Sequence, residues 1–147
     1  MTQDAVAVGR EFFDAYNERQ VERGTALTTE QTELVEVATD ERYQGAEGYR
    51  QEYEKWANAF PDGRCEVRNT IAAGDWATLE LTFRGTNTGA FAGAAGEIPA
   101  TGREVTFDFC TVVQAREGKI VTVRHYHDNA TIMQQLGLMP EAAAATA

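Results

Sequence analysis

Apolar residues recur along the chain with two different periods, and the change of period separates helices from strands. Ala5, Val8, Phe12 and Tyr16 return every three or four positions. That spacing predicts one helix over 4–19, with Asp4 placed to cap it. Positions 33–39 hold Leu34, Val35 and Val37 in a short strand pattern. A second helix follows the turn at 43–48. Tyr49, Tyr53, Trp56 and Phe60 lie at spacings of four, three and four, which makes one aromatic stripe. Pro61 ends that helix, because the residue before a proline avoids helical backbone angles.

From 64 onward the period falls to two. Cys65, Val67, Asn69 and Ile71 alternate with polar neighbours, and Gly74-Asp75 turns the chain. Ala77, Leu79, Leu81 and Phe83 then share a face, as do Val105, Phe107, Phe109, Thr111 and Val113. The segment 116–119 reads as a hairpin turn into a final strand over 120–127. Between Gly85 and Gly102 lies a glycine-rich loop of about 15 residues, read as a lid or rim. It lacks the Lys and Ser/Thr of a phosphate loop. A short helix over 130–136 puts Ile132 and Leu136 on one face, with Gly137 at its end and Pro140 beyond. Helix, strand, helix, four strands and a last helix predict an α+β fold. A curved, mostly antiparallel sheet is covered by helices that close a pocket.

The remaining properties narrow the partners. The 147 residues suit a single domain over 1–140, followed by an Ala-rich tail at 141–147 that is expected to fray. Lys and Arg total 13 against 23 Asp and Glu, a formal charge of −10. That balance argues against nucleic acid and against an anionic membrane surface. No secretory signal and no apolar run of membrane-spanning length is visible, so a cytoplasmic protein is expected. Cys65 and Cys110 match no metal-ligand spacing and read as buried free thiols; no metal is expected.

The final strand offers the densest chemistry. Thr122, Arg124, Tyr126 and Asp128 alternate with Val121, Val123, His125 and His127. A wholly polar row is costly to bury without a use, so the row with Arg124, Tyr126 and Asp128 is expected on the concave, pocket side. His125 would reach the pocket only through an irregularity in the strand.

Several strings resemble the SnoaL-like polyketide cyclases of the nuclear transport factor 2 superfamily. They are Gly45-Ala46-Glu47-Gly48-Tyr49-Arg50, Ala59-Phe60-Pro61-Asp62, Gly85-Thr86-Asn87-Thr88-Gly89 and Pro99-Ala100-Thr101-Gly102-Arg103. Gly118-Lys119-Ile120, then Arg124-His125-Tyr126-His127-Asp128 and Gln134-Gln135-Leu136-Gly137, complete the set. The resemblance implies a cone-like α+β barrel, a homodimer or higher homo-oligomer, a small hydrophobic polyketide-like ligand and no cofactor. It also implies ring closure by intramolecular aldol condensation with an aspartate as acid and base. One position departs: where the family's string has histidine, this chain has Asn87, which cannot carry a proton near neutral pH.

On this basis Asp128 is the expected acid/base, with Tyr126 and Arg124 as partners at a carbonyl. The competing reading makes Asp128 the N-cap of the last helix. Trp56, Phe60, Tyr53, Asn87, Asp108 and His125 are the expected substrate contacts. Two other readings compete with a cyclase. A hydrolase, such as an epoxide hydrolase, would need Asp108, Arg124 and Asp128 around one water. A binding domain would need no chemistry at all.

Overall fold

The computed structural model describes residues 2–93 and 96–139. In chain order it contains α1 (Thr2–Asn17), α2 (Val21–Thr25), β1 (Glu33–Glu36), β2 (Glu41–Gln44), α3 (Gly45–Ala59), β3 (Arg64–Ala73), β4 (Trp76–Thr86), β5 (Phe91–Gly93), β6 (Gly96–Ile98), β7 (Glu104–Arg116), β8 (Lys119–Tyr126) and α4 (Asn129–Gln135). Six strands form one curved sheet in the order β2-β1-β8-β7-β4-β3, and β5 and β6 form a separate hairpin. Neighbours in the large sheet run antiparallel except β1 beside β8, which are parallel. This is the expected α+β cone, with helices against one face of a mostly antiparallel sheet.

The alternation in the long strands explains which face is covered. Leu79, Leu81 and Phe83 of β4, Val105 and Val113 of β7 and Val123 of β8 are buried against Ala5, Val8, Phe12 and Phe13 of α1 and Tyr49 of α3. Burial of each large side chain contributes roughly 1.5–3 kcal/mol. Close approach has its own requirement at Gly9, where an added Cβ would lie 2.8 Å from a Leu79 methyl. A larger residue there would force the Leu79 side chain to move.

Two bulges break the period of two. In β3 the register shifts between Val67 and Asn69, so Ile71 turns outward and is 58% exposed. The expected common face of Cys65, Val67, Asn69 and Ile71 therefore ends at Val67. In β8, Gln114 pairs with Thr122 while Ala115 pairs with Ile120, which leaves Val121 without an opposite number. Ile120 and Val123 are consequently both buried in the core although they are three apart. Beyond that bulge Val123 and His125 point inward, and Thr122, Arg124 and Tyr126 point out. The expected concave placement of the Arg124, Tyr126, Asp128 row is thus inverted. An antiparallel sheet can leave one face to solvent, and a polar row on that face needs no special use.

The remaining differences are local. The strand expected over 33–39 stops at Glu36, and β2 and the one-turn helix α2 had no clear apolar period to announce them. The glycine-rich loop contains the β5–β6 hairpin, whose Phe91 is buried against Trp56 with ring centroids 5.0 Å apart. Cys65 is buried as expected, and burial pushes its thiol up to about 12; Cys110 is only half-buried, on the outer face. Among the described residues no helix is long and apolar enough to cross a membrane. Pro140 and the tail at 141–147 lie outside the described residues.

Candidate active site

A cavity lies between the inner face of the sheet, α1 and α3. Phe12, Phe13 and Tyr16 come from α1, and Tyr49, Glu52, Tyr53 and Trp56 from α3. The strands add Glu36, Cys65, Phe83, Phe107, Phe109 and His125, and His127 closes the rim just beyond β8. The free volume is about 70 Å³, room for roughly five to seven water molecules at 10–15 Å³ each. Nine of the walls are phenylalanine, tyrosine or tryptophan. Tyr53, Trp56, Phe109 and His127 are only half-buried and mark the mouth.

Polar groups gather at one end of this aromatic chamber. Helical spacing places Glu52, Lys55 and Trp56 on one side of α3, facing β1 and β8. His125 Nε2 lies 3.4 Å from Glu52 Oε1, and its Nδ1 shares a 2.8 Å hydrogen bond with Thr111 Oγ1. Trp56 Nε1 donates to Glu36 Oε2 at 2.8 Å. Lys55 Nζ donates to Glu36 Oε1 and, at 2.9 Å, to Glu41 Oε1 on β2. Glu52 Oε2 is buried and meets no fixed N–H or O–H donor among the described residues, but the Glu36 carboxyl lies within hydrogen-bonding reach of Glu52 and donates to it when protonated. The buried hydroxyls of Tyr16 and Tyr49 are unpartnered, but they pack against Gly63 and Gly24 respectively.

Burial and mutual charge set the protonation pattern. Burial, reinforced by the charge of Glu52, pushes the Glu36 carboxyl up. Burial works against charge on Glu52 and His125 as well, but their ion pair outweighs it. Glu52 is held below the usual carboxylate range and His125 above the usual imidazole range. Burial holds His127 below it. One site therefore contains an imidazole whose protonated form a carboxylate favours and a second imidazole whose neutral form burial favours, the kind of divergence that acid/base chemistry uses.

The expected site residues separate into two groups. Trp56, Tyr53 and His125 line the cavity. The other six do not. Phe60 is fully buried behind the wall, stacked on Trp56 at 5.9 Å. Asn87 is also fully buried, and its side chain makes four hydrogen bonds. Nδ2 donates to the Ala59 and Gly89 carbonyls, and Oδ1 accepts from the Thr101 N–H and hydroxyl. Its hydrogen-bonding capacity is spent on tying β4 to the end of α3 and the loop before β7. Asp108 accepts from Thr82 on the outer face at 2.7 Å. Arg124 stacks over the Trp76 ring, 5.1 Å from its centroid, and Tyr126 is 41% exposed. Asp128 is exposed and caps α4, accepting from the Ala130 and Thr131 N–H groups and the Thr131 hydroxyl. The Thr131 hydrogen bonds hold its carboxyl low. Asp108, Arg124 and Asp128 do not meet around a water in the cavity.

Glu36, Glu52 and His127 were not anticipated as cavity residues. Glu52 had a readable signal: it sits three residues after Tyr49 and four before Trp56, a carboxylate inside the aromatic stripe. A charge on the apolar side of a helix is either misplaced or used. Glu36 had none, because the end of a four-residue strand does not reveal its face.

The sequence model of the SnoaL-like polyketide cyclases matches residues 7–136. Among solved structures, AclR of Streptomyces galilaeus superposes with a TM-score of 0.80 at 20% identity, over 99% of this chain and 94% of its own. TsrD of Streptomyces laurentii gives 0.77 at 23%, over 93% and 97%. IdmH of Streptomyces antibioticus gives 0.73 at 24%, over 90% and 98%. At these identities the structures speak for the fold. No curated protein matches the chain in sequence.

Proposed function

The chain belongs to the SnoaL-like polyketide cyclase family, and from that premise we propose that it closes a ring in a small carbonyl compound by cofactor-free proton transfer, with Glu52 as the acid/base. The observation that carries this reading is the buried Glu52 carboxylate on an aromatic cavity, paired with the imidazole of His125 and next to the Glu36 carboxyl.

The chemistry balances within the site. Glu52 Oε2 takes a proton α to a carbonyl, and the resulting enolate carbon attacks a second carbonyl of the same molecule. A carbon–carbon bond forms, the second carbonyl becomes an alkoxide, and protonated Glu52 returns its proton there to give the hydroxyl. His125 positions Glu52 and keeps its carboxylate ionised between turnovers. Neutral His127 is the donor to the enolate oxygen, where charge develops. The aromatic walls keep water from competing.

The direct test is solvent-deuterium incorporation into β-diketones of graded size, followed by NMR. The native chain is expected to accelerate exchange, and Glu52→Gln to lose about 10²–10⁴-fold of that acceleration. Full activity in Glu52→Gln, in a folded protein, would exclude the role. We also propose a homodimer closed through the outer face of the sheet, where Ile71 and Tyr126 are exposed. Light scattering that returned a monomer at micromolar concentration would reject it.

A further inference from the structure

Glu36 is a second buried carboxyl on the cavity wall. It ends β1, Glu52 comes from α3, and the two lie within hydrogen-bonding reach of each other. Two carboxyls in contact away from water do not both ionise readily, because like charges repel and neither is solvated. The groups around them decide which one keeps a proton. Glu52 has the His125 imidazole at 3.4 Å. Lys55, which donates to Glu36, also donates to Glu41, the neighbour of Glu36 across β1 and β2. Tyr43 on β2 and His127 beyond β8 also face Glu36, and burial favours the neutral form of both. His125 and Lys55 thus pair with Glu52 and Glu41, and the cluster is neutral with one proton on Glu36. The two carboxyls are pushed apart accordingly, Glu36 up and Glu52 down, as an acid and a base side by side would be.

Glu36 is also placed to give that proton up. Lys55 Nζ donates to its Oε1, and Trp56 Nε1 donates to its Oε2 at 2.8 Å. Hydrogen bonds to the charged form stabilise it, so the carboxylate left behind meets two donors. Each oxygen has two lone pairs, which leaves room for the proton as well.

We propose that Glu36 is the acid of the ring closure: it protonates the oxygen of the attacked carbonyl, while Glu52 takes the proton α to the other. This rests on Glu52 being the base. Glu52 gains the α-proton, and the carbon–carbon bond forms. The Glu36 O–H bond breaks as the O–H bond of the new hydroxyl forms. The proton on Glu52 then crosses to the Glu36 carboxylate, which restores both groups. The return of the proton from Glu52 to the new oxygen thus runs by way of Glu36, and the base and the acid are in place at the same moment.

Two reactions separate the roles. Deuterium exchange into acetylacetone needs the base alone. Ring closure of acetonylacetone, or of the diketone one carbon longer, needs the acid too. Glu36→Gln is neutral, like the protonated carboxyl, and still donates a hydrogen bond, but it has no acidic proton to give. It is expected to lower ring closure about 10²–10⁴-fold more than it lowers exchange, whereas Glu52→Gln lowers both together. Equal effects of Glu36→Gln on the two reactions, or a native chain that exchanges acetylacetone and closes neither diketone, overturn the proposal. Carboxyl-carbon NMR of the chain labelled in glutamate adds a reading that needs no turnover. One glutamate is expected to ionise above the free value of about 4.3, and its signal is absent from Glu36→Gln. Every glutamate ionising at or below that value would discard Glu36 as the acid and leave Glu52 as the base. Exchange unchanged in folded Glu52→Gln would instead remove the base.

Discussion

Glu36 and His125 stand directly opposite each other across the single parallel pairing of the sheet, β1 against β8. Glu52 approaches the same imidazole from α3. A carboxylate pair and an imidazole are thereby fixed by three separate elements, and no one of them can drift without disturbing the other two.

The two imidazoles titrate on opposite sides of the ordinary value. The chain contains only two histidines, so proton NMR resolves them without ambiguity. His125 is expected above 6.5 and His127 below it. Glu52→Gln removes the partner of His125 but not its burial, so that value should fall below 6.5. The same pair makes stability depend on pH. A histidine whose folded value is raised contributes fully below its unfolded value and loses the contribution as pH rises through the folded one. Thermal melts from about pH 6.5 upward should show this loss in the native chain, and it should vanish in Glu52→Gln.

Lys55 tests the cost of burying the cluster. Its side chain is 7% exposed and bridges Glu36 and Glu41. Lys55→Met leaves a buried carboxylate unpaired, a loss of about 3–5 kcal/mol, measurable by urea unfolding. Adding Glu36→Leu should recover much of it, because removing both charges is cheaper than stranding one.

Asn87 stands where the family's string has histidine, and the structure gives it a mechanical task. An imidazole cannot reproduce two donors to carbonyls and an oxygen accepting two bonds. Asn87→His is therefore expected to lower stability by about 2–4 kcal/mol and to add nothing to deuterium exchange. A gain in exchange would return this position to the chemistry.

Asp128 gives the clearest contrast with the expectation drawn from sequence. Asparagine caps helices about as well as aspartate. Asp128→Asn should keep both the melting temperature and the exchange rate, whereas loss of exchange with the fold intact would restore Asp128 as an acid.

The fold was legible because its signals are long. A stripe of four aromatics and strands of ten or more residues, such as β3, β4 and β7, outweigh local irregularities. The site was legible only in part. Tyr53 and Trp56 were found because an aromatic stripe must face the core. The final strand was read with the correct alternation and the wrong side, because alternation alone does not say which row is inside and the unpaired Val121 decides it. A residue without an opposite number leaves no mark in composition or period. The role of Asn87 was hidden for another reason: three of its four hydrogen bonds go to Ala59 and Thr101, 28 and 14 residues away in the chain.

Val121 acts on the sheet as a frame marker acts on a message. On one setting of the frame the strand delivers histidine, then histidine, to the interior; shifted by one, it would deliver arginine, tyrosine and aspartate. Closing the bulge so that Val121 takes a partner on β7 would exchange one chemical vocabulary for the other with every residue kept, whereas deleting Val121 would restore plain alternation and leave Val123 and His125 inside.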